Sequence, residues 1–138
     1  MSRSGYSDDG DDQWAMIRWQ GAVKSAIRGK RGQAFLREML IALDSLPDKR
    51  LIAEDLEKDG EVCAIGTVGK LRGIDMSAID PEEYEQVSAA FGIPQALVRE
   101  IESINDEWVS YNATPEHRFN VVREWVVENI ETQMEVIA

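Results

Sequence analysis

Cysteine and histidine are almost absent from this chain: Cys63 and His117 are the single examples in 138 residues. One cysteine excludes an internal disulfide framework and any zinc site built on cysteine pairs, and one histidine excludes a histidine-rich metal site. No apolar run approaches the roughly 18 residues that a membrane span needs, and Met1 to Tyr6 contain no apolar signal core. The expectation is therefore a soluble cytoplasmic protein with no membrane, metal or cofactor partner. Asp8-Asp9-Gly10-Asp11-Asp12 lacks the alternating ligands and distal glutamate of a calcium loop. Gly29-Lys30-Arg31-Gly32 lacks the spacing that cradles phosphate and reads as a solvated turn between helices. Repeats, low-complexity stretches and a linker long enough to divide the chain are all missing.

What is present suits a folding domain. Hydrophobic residues make up 43% and charged residues 30%. A chain of this length buries roughly two-thirds of its unfolded surface without staples. The net charge of −11 is uneven. Residues 1–43 hold seven Lys/Arg and five Asp/Glu, and residues 44–138 hold eight and twenty-one. Within 14–43, Arg18, Lys24, Arg28, Lys30, Arg31 and Arg37 face Glu38 alone. Such asymmetry speaks to partners rather than to fold.

Periodicity predicts an all-α protein: a compact single-domain bundle of six to seven helices around a buried central helix. Residues 1–12 read as a flexible acidic arm and 13–138 as the helical domain. Met16, Trp19, Val23 and Ala26/Ile27 place one stripe on a helix over 13–28. Residues 33–46 are apolar on nearly all sides, which marks them as the central helix, with Leu40 in the core and Pro47 as the stop. Residues 48–60 read as a polar helix or extended piece ended by Asp59-Gly60. Residues 61–72 fit a strand or a helix; a lone strand would have no obvious partner, so helix is chosen. Asp80-Pro81-Glu82-Glu83 starts a helix that stops at Gly92, Pro94 begins the next, and Thr114-Pro115-Glu116 begins the last. That last helix carries Phe119, Val122, Val126 and Ile130 on one stripe, beside Val121 and Trp125.

Several segments are similar to a family of small tailed-bacteriophage and prophage proteins that carry no established activity. They are Ser2 to Tyr6 with Asp8-Asp9, Gly21 to Val23, Ala26 to Leu36, Leu51 to Glu54, Asp59 to Gly66, Arg72 to Met76, Ala90 to Ile93 and Ile104 to Glu107. More loosely, Cys63-Ala64-Ile65-Gly66 followed by Asn105-Asp106-Glu107 resembles a wider set that pairs a cysteine-containing segment with a later Asn-Asp before a final helix. The resemblance implies a helix after Val62 and an accessory phage protein in the host bacterial cytoplasm. It implies no chemistry.

The residues supply no catalytic set. Cys63 has no cation within four residues and sits near Asp59 and Glu61, the opposite of what activates a thiol. His117 falls in the first turn of a helix with no nucleophile nearby. Val87 to Val98 is similar to a helix-turn-helix, with Ser88, Gly92, Ile93 and Val98 at the expected spacing. Its second helix carries Arg99 against Glu100 and Glu102, a balance that weighs against specific DNA binding. Two candidate sites are left: the basic face Arg18, Lys24, Arg28, Lys30, Arg31 and Arg37, and the polar cluster Asn105, Asp106 and Glu107. The expected function is protein–protein interaction with a bacterial host factor, such as inhibition of a defence or nucleic-acid enzyme in the manner of an anti-CRISPR protein. A helix-turn-helix regulator is the alternative, and a second copy of the chain is a further candidate partner for the basic face.

Overall fold

The computed structural model describes residues 13–109 and 112–131. The expected arm at 1–12 lies outside the described residues. Helix dominates what is described: α1 (Gln13–Arg28), α2 (Lys30–Ser45), α3 (Ala64–Arg72), α4 (Tyr84–Phe91), α5 (Gln95–Asp106) and α6 (Pro115–Asn129), with the two-residue strands β1 (Glu57–Lys58) and β2 (Glu61–Val62).

Gly29 alone separates α1 from α2, its extended backbone breaking the helix. Gly32 lets the corner close: a Cβ there would lie 1.8 Å from the Ala26 carbonyl oxygen. Gly29-Lys30-Arg31-Gly32 is thus a helix start rather than the expected turn. α2 buries Phe35, Leu36, Met39, Ala42 and Leu43, and packs against α1, α3 and α6. It is not buried on all sides. Lys30, Ala34, Arg37 and Ile41 recur at helical spacing and are exposed, so one full stripe meets solvent.

α5 is the more enclosed helix. It packs against α1, α3, α4 and α6, and Gln95 is its one exposed residue. Its apolar side is Leu97, Val98, Ile101 and Ile104, and Glu102, Ser103 and Asn105 are buried as well. The count of apolar residues singled out α2 because it takes no account of polar groups that are buried with partners.

Residues 48–60 contain no helix. Asp59 (φ 53°) and Gly60 (φ 82°) are both left-handed, the requirement of a type I′ hairpin turn. They join β1 to β2 antiparallel, with Glu57 opposite Val62 and Lys58 opposite Glu61. The strand and helix readings of 61–72 therefore both apply, in succession: β2, then α3 from Ala64. A Cβ on Gly66 would lie 1.9 Å from the Leu56 carbonyl oxygen, so α3 seats directly on the hairpin's entry strand. Asp80 does not cap a helix. Its Oδ1 accepts from the Glu82 N–H at 2.9 Å in a turn, and α4 begins four residues later at Tyr84. Gly92 ends α4 in the left-handed region, and Thr114 Oγ1 caps α6 by accepting from the His117 N–H at 3.1 Å.

Side chains tie the helices across long sequence distances. The buried Gln33 donates to the carbonyls of Ile27 (2.8 Å) and Asn129 (2.9 Å) and accepts from the Glu131 N–H (2.8 Å), joining the ends of α1 and α6 to α2. Arg72 forks onto Glu38 at 2.9 and 2.6 Å, and Arg123 onto Asp44 at 2.7 and 3.0 Å. These hydrogen bonds hold both carboxyls below their ordinary pKa values. The pairs accordingly stabilise the fold near neutral pH and stop doing so as acid protonates the carboxylates. No helix among the described residues is long and apolar enough to cross a membrane.

Leu40 is half-buried, whereas Leu36 and Leu43 are at 0% exposure. Leu36→Ala is expected to lower stability by about 2–5 kcal/mol in urea unfolding, and Leu40→Ala by clearly less. Equal losses would mean that α2 is enclosed on its Leu40 side too.

Candidate functional site

The polar cluster does not converge on a site. Asn105 is 2% exposed and its amide is consumed by the backbone around it. Oδ1 accepts from the Ala64 N–H (3.0 Å), capping α3, and Nδ2 donates to the Ile52 carbonyl (3.0 Å) and to Asp106 Oδ1 (2.7 Å). The Asn105 carbonyl accepts from Arg118 Nη1 on α6. Asp106 Oδ1 also accepts from the N–H of Glu54 (3.1 Å), a non-glycine residue at φ 74°. Glu107 points the other way: it is exposed and accepts from Ser103 Oγ at 3.1 Å. Asn105 and Asp106 thus hold the irregular chain before β1, rather than the loop that follows α5. Sequence reading missed Arg118, which is 4% exposed. Burial pushes its guanidinium pKa down, opposed by Asp106 and Glu54.

Cys63 belongs to the same node. Its Sγ accepts from the Gly66 N–H at 3.4 Å as the N-cap of α3. Burial pushes the thiol pKa up to about 12, so it is no nucleophile at neutral pH. His117 is exposed at the start of α6. Among the described residues no group of three or more His, Cys, Asp or Glu could hold a metal ion.

The α4–α5 corner is a helix–turn–helix in shape. Ser88 Oγ donates to the Ile93 carbonyl at 2.5 Å across the left-handed Gly92. Its second helix, however, is the enclosed α5, which offers no exposed face for a groove. Its single cation is engaged: the Arg99 guanidinium lies 5.1 Å from the Trp19 ring centroid and 5.0 Å from that of Tyr84.

The basic residues are all at the surface. Arg18, Lys24, Arg28, Lys30, Arg31 and Arg37 are each exposed. The fold divides them into two stripes that meet at Gly29. On α1, Lys24 and Arg28 lie one turn apart, with Arg18 farther back; on α2, Lys30 and Arg37 lie two turns apart, with Arg31 beside them. Arg37 also donates to the Glu131 carbonyl at 2.5 Å. Large apolar side chains share these stripes: Trp14 is 73% exposed, Ile17 56% and Ile41 61%. Sequence reading missed all three as surface residues. The signal was there in the spacing, since Ile17, Lys24 and Arg28 follow one another at seven and four residues on the face turned away from Trp19 and Ala26.

No protein-family model, curated protein or solved structure matches this chain.

Asn105→Ala would leave the Ala64 N–H and the Ile52 carbonyl buried without partners, at about 1–3 kcal/mol each. The expected result is a stability loss of about 2–5 kcal/mol, with iodoacetamide reaching Cys63 far faster than in the unsubstituted protein at pH 8. Unchanged stability and unchanged labelling would show that the node is dispensable.

Proposed function

We propose that this protein is a binding protein, not an enzyme, and that it works by docking its α2 stripe on an acidic surface of a bacterial host protein. The observation that carries this reading is the exposure of Lys30 and Arg37 on the same stripe as Ala34 and Ile41, with Arg31 exposed beside it. Cations around an apolar contact suit a protein partner: charge steers the approach, and the apolar centre supplies burial. The strongly acidic remainder of the chain opposes nucleic acid, as does the enclosure of α5, so the helix-turn-helix regulator is the weaker reading.

The resemblance to tailed-phage proteins supports a setting in the cytoplasm of an infected bacterium. Within that setting the partner would be a defence or nucleic-acid enzyme whose activity the contact blocks, as an anti-CRISPR protein does. The helices from α1 to α6 serve in this reading as one bundle domain that presents the stripe.

The test is a tagged pull-down from host extract, with mass spectrometry, comparing the unsubstituted protein with Lys30→Glu/Arg31→Glu. Surface charges away from contacts shift stability by only about 0.5 kcal/mol, so folding does not confuse the comparison. One host protein should be enriched, and the reversal should reduce its capture about tenfold or more. Undiminished capture by the variant, or a sequence-selective DNA shift at about 50 mM salt, would overturn the proposal.

A further inference from the structure

One torsion angle at Gly29 separates α1 from α2. Its φ of −66° is already helical, and only ψ, at 161°, is not. The hydrogen bonds on either side are those of a helix. The Gly29 N–H donates to the Ser25 carbonyl at 3.0 Å, and the Gly29 carbonyl accepts from the Gln33 N–H at 2.9 Å. Turning ψ to its helical value would make one helix from Gln13 to Ser45, about 50 Å long. It would also bring the N–H groups of Lys30, Arg31 and Gly32 onto the carbonyls of Ala26, Ile27 and Arg28.

Two neighbours hold the bend. At the corner the Ile27 carbonyl accepts from Gln33 Nε2 at 2.8 Å, where an unbroken helix would offer it the Arg31 N–H. Gly32 leaves room for the Ala26 carbonyl oxygen, which would lie 1.8 Å from a Cβ there. In an unbroken helix positions 26 and 32 are about 9 Å apart along the axis, and the same Cβ is harmless.

The bend also decides which way α1 faces. Met16, Trp19, Val23 and Ile27 continue, at spacings of three and four, into the exposed α2 stripe from Lys30 to Ile41. In one unbroken helix the two would share a face, opposite to Leu36, Met39 and Leu43 in the core. Straightening therefore points the α1 stripe away from its own molecule. That stripe is lightly held: among the described residues of α1, Val23 and Ala26 alone are buried, and the Trp19 ring rests 5.1 Å from the Arg99 guanidinium of α5.

We infer that Gly29 is a hinge through which α1 exchanges between two copies of this chain. A straightened chain has an uncovered α1 stripe and an empty seat on α5. It cannot fill one with the other, but a second straightened chain can, because stripe and seat already fit within one molecule. Two chains satisfy each other, and the exchange closes at a dimer. The bent monomer and the exchanged dimer keep the same α1–α5 contacts, so the hinge and the chain concentration set the balance between them. The α2 stripe proposed for the host contact stays at the surface in both.

Light scattering on the full chain tests this, with Gly29→Ala and Gly29→Ser as the decisive pair. Both place the same Cβ 3.2 Å from the Ser25 carbonyl oxygen. Alanine favours the unbroken helix, whereas serine caps the break. At about 100 µM, Gly29→Ala should hold about tenfold more dimer, at twice the 15.5 kDa of one chain, than the unsubstituted protein. Gly29→Ser should hold no more than the unsubstituted protein, and Gly32→Ala, which blocks the bend, should be dimeric throughout. In a dimer mixed from isotope-labelled and unlabelled Gly29→Ala chains, nuclear Overhauser effects should link Trp19 of one chain to Arg99 of the other, which no side-by-side dimer gives. Thermal melts confirm that each variant is folded; if Gly32→Ala is not, the Gly29 pair decides. A Gly29→Ala protein that stays single, a dimer without the cross-chain Trp19–Arg99 contact, or Gly29→Ser dimerising as readily as Gly29→Ala would each overturn the inference.

Discussion

The carboxamide of Asn105 is the constraint on which the rest of this structure depends. The chain between Leu46 and Ala64 has almost no regular structure of its own, yet it runs between helices, where its peptide groups need partners. Asn105 supplies an acceptor to Ala64 and a donor to Ile52, while Arg118 reaches its main chain from α6. One buried residue thus caps the start of α3, holds the chain at Ile52 ahead of the hairpin and, through its carbonyl, links α5 to α6. The left-handed Glu54 is held within the same network through Asp106. A partly satisfied network of this kind would be worse than an apolar core, which is why the whole set is present together.

What was legible in the sequence was mostly local. Thr114-Pro115 and Gly92 act through hydrogen bonds to neighbouring residues and through backbone angles, so α6 and the end of α4 fell where expected. The hairpin was missed although Asp59-Gly60 is a strong turn signal. A two-residue strand leaves no alternation to detect, and the same dipeptide also suits a helix stop. The choice of α2 over α5 as the enclosed helix failed for another reason. Glu102, Ser103 and Asn105 look like surface residues, yet all three are buried, and the groups that pair with Asn105, on Ala64, Ile52 and Arg118, come from distant parts of the chain. Leu40 failed in the opposite sense, because an apolar residue at a helix edge need not be covered.

For the candidate sites the division is the same. That six cations would be exposed followed from their absence on the apolar stripes. That they form two stripes, one on α1 and one beside Ile41 on α2, did not, since it depends on the single-residue corner at Gly29. Asn105 and Asp106 stood out as a polar cluster in the sequence, and in the structure their side chains bond the chain around Ile52, Glu54 and Ala64. The polar groups that look most like a site hold the fold, and the surface that can meet partners is built of ordinary cations and bare apolar side chains.

That separation of roles can be read in one experiment: hydrogen exchange by nuclear magnetic resonance that follows the Trp14 indole N–H and the Asn105 side-chain amide together. A scaffold amide buried at 2% exposure should exchange slowly with solvent. The indole of Trp14, a residue 73% exposed, should exchange as freely as in an unfolded chain. An Asn105 amide that exchanges freely, or a Trp14 indole that is protected, would contradict the account.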